Sequence, residues 1–439
     1  MEKISFSNLL DKQGLSKDIL SNIARETGLI ERERLITATD LLFAICIEAS
    51  GGTVSYNDIA AQIETGGGES VSKQAVWKKV NISCLDYFKK VLESLIFNKI
   101  DKTEIAKLRV TCRYKRILVQ DSTIISLPER LFYFFSGVAN QSTKLCNARI
   151  QGVYDILNEQ FISFSIDKYS KNDLKAAPEL TLEQGDLSLR DRGYLINDEI
   201  QRHINAGADC IYRYKNKMCL LDTVTEKPLN LLAMLKNKSF LDLKVKLNNK
   251  DKTVVRLVAI PVTEEIANKR RMKAKKEKKT PPSTEYLKLL SWSIYLTTIL
   301  VEQANYKEIS KLYYLRWRIE IIFKSWKSNM NFDEIHNVSQ IQLLVILTAR
   351  FIMILICTQF IFRPCKAIVK KIFNKNLSLL KVTHYLLRHT SKIIEIILEL
   401  SEYPFQKTET MKSLARYCSY DRRKRINFEQ DMNTLFPLS

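Results

Sequence analysis

Tyr313, Arg316, Glu320 and Lys327 follow one another at spacings of three, four and seven residues. At about 100° per residue in an α-helix they share one face, within an arc of about 60°. Leu315, Ile319, Ile322 and Trp326 fall on the opposite face, as an apolar stripe that a core would bury. Arg318, at about 140°, points away from the Tyr-Arg-Glu-Lys face and is expected to matter far less to it. That face carries one carboxylate flanked by two cations and a phenol. Such a set suits a metal-bound phosphodiester: the carboxylate holds Mg²⁺ while the cations and the hydroxyl grip phosphate oxygens. A surface helix with ordinary i,i+4 charge pairs has the same composition, and this segment alone does not separate the two.

Two carboxylates upstream shift the balance. Asp121 follows the apolar run Ile117, Leu118 and Val119, which predicts a buried strand with Asp121 at or near its end. Asp191 follows Leu187 and Leu189, which alternate as a short strand that Gly193 ends. Residues 150–157 and 160–166 predict two more strands, with a turn at Asn158 and Glu159. The order is strand with Asp, strand, strand, helical segment, strand with Asp, long insert, helix with Glu. A lone strand-end Asp is ordinarily a turn or cap residue. Three carboxylates in this order offer hard oxygen ligands enough to offset much of the charge of two Mg²⁺ ions.

With these residues in place, the chain resembles the insertion-sequence DDE transposases of the Tyr-Arg-Glu-Lys signature group. The resemblance rests on Asp121-Ser122-Thr123 with Leu127-Pro128, on Asp191-Arg192-Gly193-Tyr194, and on Tyr313, Arg316, Glu320 and Lys327. It covers residues 110–345. It implies an α/β fold: an RNase H-like catalytic core interrupted by a β-rich insert, with helical N- and C-terminal regions. It also implies a two-metal site (Mg²⁺ or Mn²⁺) at Asp121, Asp191 and Glu320, with Asp121 between the ions. Tyr313, Arg316 and Lys327 would hold a phosphate near the transposon end. The activity implied is cut-and-paste movement by phosphodiester hydrolysis and strand transfer. A host nuclease on the same fold, or a non-catalytic or domesticated DNA-binding protein, is the alternative. Arg190 departs from the pattern, because the family more often has a small or apolar residue before the second Asp.

Composition agrees. Lys and Arg number 69 against 48 Asp and Glu, a net charge of +21 over 439 residues. Such a surplus attracts a polyanion, although it does not by itself choose among DNA, RNA and a membrane surface. A hydrophobic content of 46% excludes a disordered chain. The nine Cys include no Cys-x-x-Cys and form no ligand cluster with the four His, which argues against zinc and for reduced, buried thiols. With no long apolar stretch near residue 1, a cytoplasmic, nucleoid-associated bacterial protein is expected.

Around the core, residues 1–105 are expected to form a helical DNA-binding domain. Residues 106–206 and 301–345 would form the two parts of the catalytic core. Residues 207–300 would form the β-rich insert, and 346–439 a helical C-terminal region. In the first of these, Ser72 caps a basic segment with Lys73, Gln74, Lys78 and Lys79, preceded by a glycine turn and a helix: a candidate helix-turn-helix reader of DNA. In the insert, residues 269–279 hold eight cations in eleven residues, expected as a mobile loop or helix-loop against the DNA backbone. Trp292 is a candidate base-stacking residue, or else a core strand residue. Residues 341–362 are apolar enough to imitate a membrane span, but Arg350 in the middle favours a buried helix and no membrane partner. Arg422 to Arg425 form a further basic cluster. The implied partners are transposon-end and target DNA, with a homodimer in the DNA complex.

Overall fold

A computed structural model describes residues 3–32, 34–97, 113–139, 144–171, 180–277, 281–388, 409–420 and 428–435. Six helices open the chain: α1 (Lys3–Lys12), α2 (Lys17–Glu26), α3 (Ala38–Ser50), α4 (Tyr56–Thr65), α5 (Lys73–Lys79) and α6 (Ile82–Phe97). Local chemistry starts several of them. The Ser16, Ser55 and Ser72 hydroxyls accept the backbone N–H three residues on, and Thr37 with Asp40 forms a reciprocal capping box.

The sheet follows. β1 (Arg116–Leu127), β3 (Lys144–Asp155) and β4 (Gln160–Lys168) form an antiparallel meander, and β2 (Gly137–Ala139) pairs with the beginning of β3. β5 (Asp186–Arg190) adds parallel to β1, and β6 (Asp209–Arg213) adds parallel to β5. α7 (Asn197–Asn205) makes the crossover between them. The order β4-β3-β1-β5-β6, antiparallel for three strands and parallel for two, is the RNase H-like arrangement. β7 (Leu220–Leu221), β8 (Leu241–Leu247), β9 (Val254–Pro261) and β10 (Trp292–Thr297) extend the same sheet, in the order β10-β9-β8-β7 outward from β6. The insert thus continues the core sheet edge to edge while burying a core of its own around Leu231, Val245, Leu257 and Leu296.

Of the two expectations for the basic run in the insert, loop or helix-loop, the described part is helical: α8 (Glu264–Glu277) covers most of the run. Ala267 and Ala274 are buried and let the helix pack. Arg270 turns inward to the Leu290 and Trp292 carbonyls, and Arg271 to Ser291 Oγ. Charge did not prevent packing because two of the cations found backbone or hydroxyl acceptors. The Tyr-Arg-Glu-Lys segment is not one continuous helix. α9 (Tyr306–Tyr314) and α10 (Trp317–Asn329) meet at Leu315 and Arg316. There the amides of residues 315, 316, 318 and 319 bond to carbonyls three residues back, a 3₁₀ pinch between two α-helices.

α11 (Gln340–Leu355) and α12 (Arg363–Phe373) are joined by a π-helical turn at Ile356–Phe362. The apolar run expected to be buried is so: 89% of its most hydrophobic window lies inside the protein. α11 packs along α3 and α6, so that the N-terminal helices, the sheet and the C-terminal helices share one core. Of the C-terminal segments singled out in the sequence, residues 379–387 lie in the helix Leu379–Arg388. Residues 393–400 and the basic cluster 422–425 lie outside the described residues.

Arg350 ties this helix into the core. It is 2% exposed. Its guanidinium donates to four carbonyls: Ala49 at 2.8 Å, Gly52 at 2.5 Å, Phe332 at 2.9 Å and Glu334 at 2.9 Å. Two close the end of α3 and two close the loop after α10. Burial pulls its pKa down to about 10, and Glu334 and Asp333 oppose the fall. Replacing Arg350 by Met should strand four buried acceptors and cost on the order of 3 kcal/mol or more. Arg350→Lys should recover only part, because a single ammonium cannot fork to four carbonyls. The check is the denaturant midpoint of each variant, and an unchanged midpoint for Arg350→Met would reject the linchpin role.

Candidate active site

The register of the sheet sets two of the carboxylates side by side. The parallel pairing of β1 with β5 ends at Gln120 opposite Arg190. Asp121 and Asp191 are each the next residue. They lie level on adjacent strands, which run about 4.8 Å apart. Alternation sends both side chains to one face and those of Gln120 and Arg190 to the other. Asp121 therefore stands mid-way along β1, not at its end; what ends there is the neighbour β5, and that opens the space a carboxylate needs.

The third carboxylate comes from α10. Its apolar side, Ile319, Ile322, Phe323 and Trp326, is buried on the sheet as the periodicity requires. The Phe323 ring packs over Gly152, which pairs with Asp121 across β3; a Cβ there would meet the ring at 3.4 Å. Arg316, at the pinch, reaches both sides. It donates to Asp121 Oδ2 at 2.8 Å and to Glu320 Oε1 at 2.6 Å. Tyr313, 5% exposed, makes a long hydrogen bond of 3.4 Å from its hydroxyl to Asp191 Oδ1. Three of the four residues of the sequence motif thus converge with Asp121 and Asp191. The fourth, Lys327, donates at 2.6 Å to the Ile124 carbonyl, on the exposed half of β1.

The electrostatics follow from crowding. Burial raises the Asp121 carboxyl to about 6; Arg316 and the Ser122 N–H oppose the rise, and Glu320 and Asp191 add to it. Burial, with Asp191 adding, also holds the Tyr313 hydroxyl well above its ordinary value, so it stays a donor. Burial works against the Arg316 charge, but Tyr313, Asp121 and Glu320 outweigh it and push its pKa up. Among the described residues no three His, Cys, Asp or Glu side chains surround a common point closely enough to hold one ion as they stand. The reason is visible: the Arg316 guanidinium lies between Asp121 and Glu320. The donor set is nevertheless three hard carboxylates with like-charge influence on one another, the chemistry of a Mg²⁺ or Mn²⁺ site.

Other sequence candidates lie elsewhere. Lys73 and Lys78 are exposed on α5 beside Trp77, itself 60% exposed. Lys79 instead donates to the Leu29 carbonyl at 2.8 Å and ties α5 to the bundle. Trp292 is half-buried against the insert core, three strands over from β1 in sheet order. Arg318 does point away from the site, but it is not idle. It is 4% exposed, and its charge bears on Glu159 and Tyr154. Arg149, unremarked in the sequence, donates to Ser122 Oγ at 3.0 Å beside Asp121. Its only sequence signal is its place on the strand that pairs with β1.

With this geometry, comparison with known proteins is informative. The transposase for insertion sequence element IS231E of Bacillus thuringiensis subsp. finitimus is 26% identical over 385 residues, 82% of this chain and 80% of the relative. The transposase for insertion sequence element IS1151 of Clostridium perfringens is 22% identical over 420 residues, 89% of this chain and 88% of the relative. A looser likeness, to the piggyBac transposase in a synaptic complex with hairpin DNA, has a TM-score of 0.43 at 10% identity. It covers 94% of this chain and 85% of the other. The RNase H-like assignment above rests on strand order and not on that likeness. Residues 114–356 match the transposase DDE domain, and they include Asp121, Asp191 and Glu320. The chain belongs to the DDE-domain transposase family.

Proposed function

We propose that this chain is the transposase of a bacterial insertion sequence, cleaving and rejoining DNA at the ends of its element with Asp121, Asp191 and Glu320 as catalytic carboxylates. The level placement of Asp121 and Asp191 beneath the Tyr313, Arg316 and Glu320 face carries this reading. These three residues would hold two Mg²⁺ or Mn²⁺ ions. Bound there, the ions would activate a water or a DNA 3′-hydroxyl as nucleophile and stabilise the leaving oxygen. Arg316 balances Asp121 and Glu320 in the folded chain, and its fork suits a phosphate next to the scissile bond. Tyr313 orients Asp191. Lys327 sets an ammonium along the open half of β1. Lys73, Lys78 and Trp292 are proposed as DNA contacts away from the chemistry, and a homodimer on DNA in the cytoplasm, at the nucleoid, completes the reading.

The test is single-turnover cleavage of duplexes carrying the element's ends. Asp121→Ala, Asp191→Ala and Glu320→Ala should each abolish cleavage while leaving end binding nearly intact, and EDTA should silence the wild type. In the same assay Arg316→Ala and Lys327→Ala should lose roughly 1–3 kcal/mol of transition-state stabilisation, if each makes a charged hydrogen bond to phosphate. Lys311→Ala, at an exposed position of α9, is the control. Retained cleavage by any carboxylate variant removes that residue from the site.

The α5 surface has a separate test. Replacing Lys73 and Lys78 by Ala should weaken DNA binding and reduce the slope of log affinity against log salt by roughly two. An unchanged slope would take both lysines off the DNA.

A further inference from the structure

Arg190 is the residue that departs from the family pattern, and the structure gives it a built environment. It is the last residue of β5 and directly precedes Asp191. It is 2% exposed, a rare place for a guanidinium. Nη1 donates to Glu199 Oε2 on α7 at 2.6 Å and to the Tyr212 hydroxyl on β6 at 3.2 Å. Its guanidinium carbon lies 5.0 Å from the centre of the Tyr194 ring. Glu199 is held in turn by Arg202, which donates to both carboxylate oxygens at 3.1 and 3.0 Å. Tyr194, three residues beyond Asp191, is 1% exposed and donates from its hydroxyl to the buried Gln151 Oε1 at 3.2 Å.

The backbone on both sides of Asp191 is therefore fastened on the face opposite the carboxylates. Arg190 fastens the strand end to α7 and β6. Tyr194 closes the 3₁₀ turn Arg192–Tyr194 and fastens it to β3. Asp191 lies between these two anchors with extended backbone, φ −73° and ψ 163°, and no side-chain cap of its own. Among the described residues its carboxylate accepts one hydrogen bond, the long one from Tyr313. A carboxylate so weakly held by its own contacts takes its position from its backbone.

We infer that Arg190 is a positioning residue: locked by Glu199, Tyr212 and the Tyr194 ring, it fixes the strand end that presents Asp191 to a divalent cation. The inference rests on the proposed carboxylate site. A small or apolar residue at 190 would leave the strand end to packing alone, so this chain supports its second carboxylate with a buried ion pair. Supports of this kind typically change metal affinity by about 10–100-fold when removed.

The experiment is Mn²⁺ binding to the full chain without DNA, followed by the electron paramagnetic resonance signal of free Mn²⁺, alongside end cleavage as a function of Mn²⁺ concentration. Arg190→Leu should weaken Mn²⁺ binding by about tenfold or more, shift the Mn²⁺ needed for half-maximal cleavage by a similar factor, and leave end binding unchanged. Near-saturating Mn²⁺ should restore most of the cleavage, which a general folding defect would not allow. Tyr212→Phe keeps the ring and deletes one contact to Arg190. It should shift Mn²⁺ affinity a few-fold in the same direction, and it decides the matter if Arg190→Leu does not fold. Wild-type Mn²⁺ affinity and metal dependence in the folded variants would overturn the positioning role. Asp191→Ala is the separating control: if it too binds Mn²⁺ as wild type does, the carboxylate site itself is wrong, not the role of Arg190.

Discussion

Three carboxylates drawn to one face of a sheet repel one another, and the fold has to compensate for that repulsion. Arg316 does so directly, bridging Asp121 and Glu320 from the pinch between two helices. The compensation is incomplete, since burial with help from Glu320 and Asp191 still lifts the Asp121 carboxyl to about 6. On the proposed function a divalent cation would relieve like-charge crowding that a single guanidinium only balances. The same guanidinium is a ready partner for phosphate. On the proposed function, substrate affinity and metal affinity would both arise from one electrostatic tension.

The scaffold serves that tension from behind. Parallel pairing sets Asp121 and Asp191 level, and the end of β5 opens the space in front of them. α10 packs over Gly152 through the Phe323 ring, and this seat brings Arg316 and Glu320 over Asp121. On the far face, Arg190 with Glu199 secures the strand beside Asp191. Within α10 itself, Arg318 shares a charged neighbourhood with Glu159 and Lys366. Buried arginines recur because the guanidinium can satisfy several acceptors at fixed angles. Arg350 extends the pattern to the whole molecule by joining the N-terminal helices to the loop after the site helix.

Much of this was legible in the sequence where the signal is local. Periodicity placed the buried face of α10, apolar runs placed β1 and β5, and Ser72 marked a real helix start. The three carboxylates could be grouped because their order and the spacing around Glu320 are long patterns. What was hidden depends on partners distant in sequence. The pinch at Leu315 and Arg316 follows from Arg316 reaching Asp121 across the sheet, which no helical wheel contains. The basic run at 269–279 looked too charged to pack, because the carbonyls that accept Arg270 lie about twenty residues away on another element. Arg318 was legible only as pointing away from the motif face; its burial near Glu159 and Tyr154 was not. Arg190 was visible as an anomaly but not interpretable, since Glu199 and Tyr212 become its partners only after α7 and β6 fold over it.

The central claim is that Asp121, Asp191 and Glu320 share one metal-binding site. Iron-mediated cleavage of the polypeptide tests it without reference to DNA. Fe²⁺ takes carboxylate sites of this type, and with ascorbate and peroxide it generates hydroxyl radicals that cut the nearest backbone. The account predicts cuts clustered near residues 121, 191 and 320, competed away by excess Mg²⁺ and all lost together in Asp191→Asn. Cuts confined to one of the three segments, or insensitive to Mg²⁺, would contradict it.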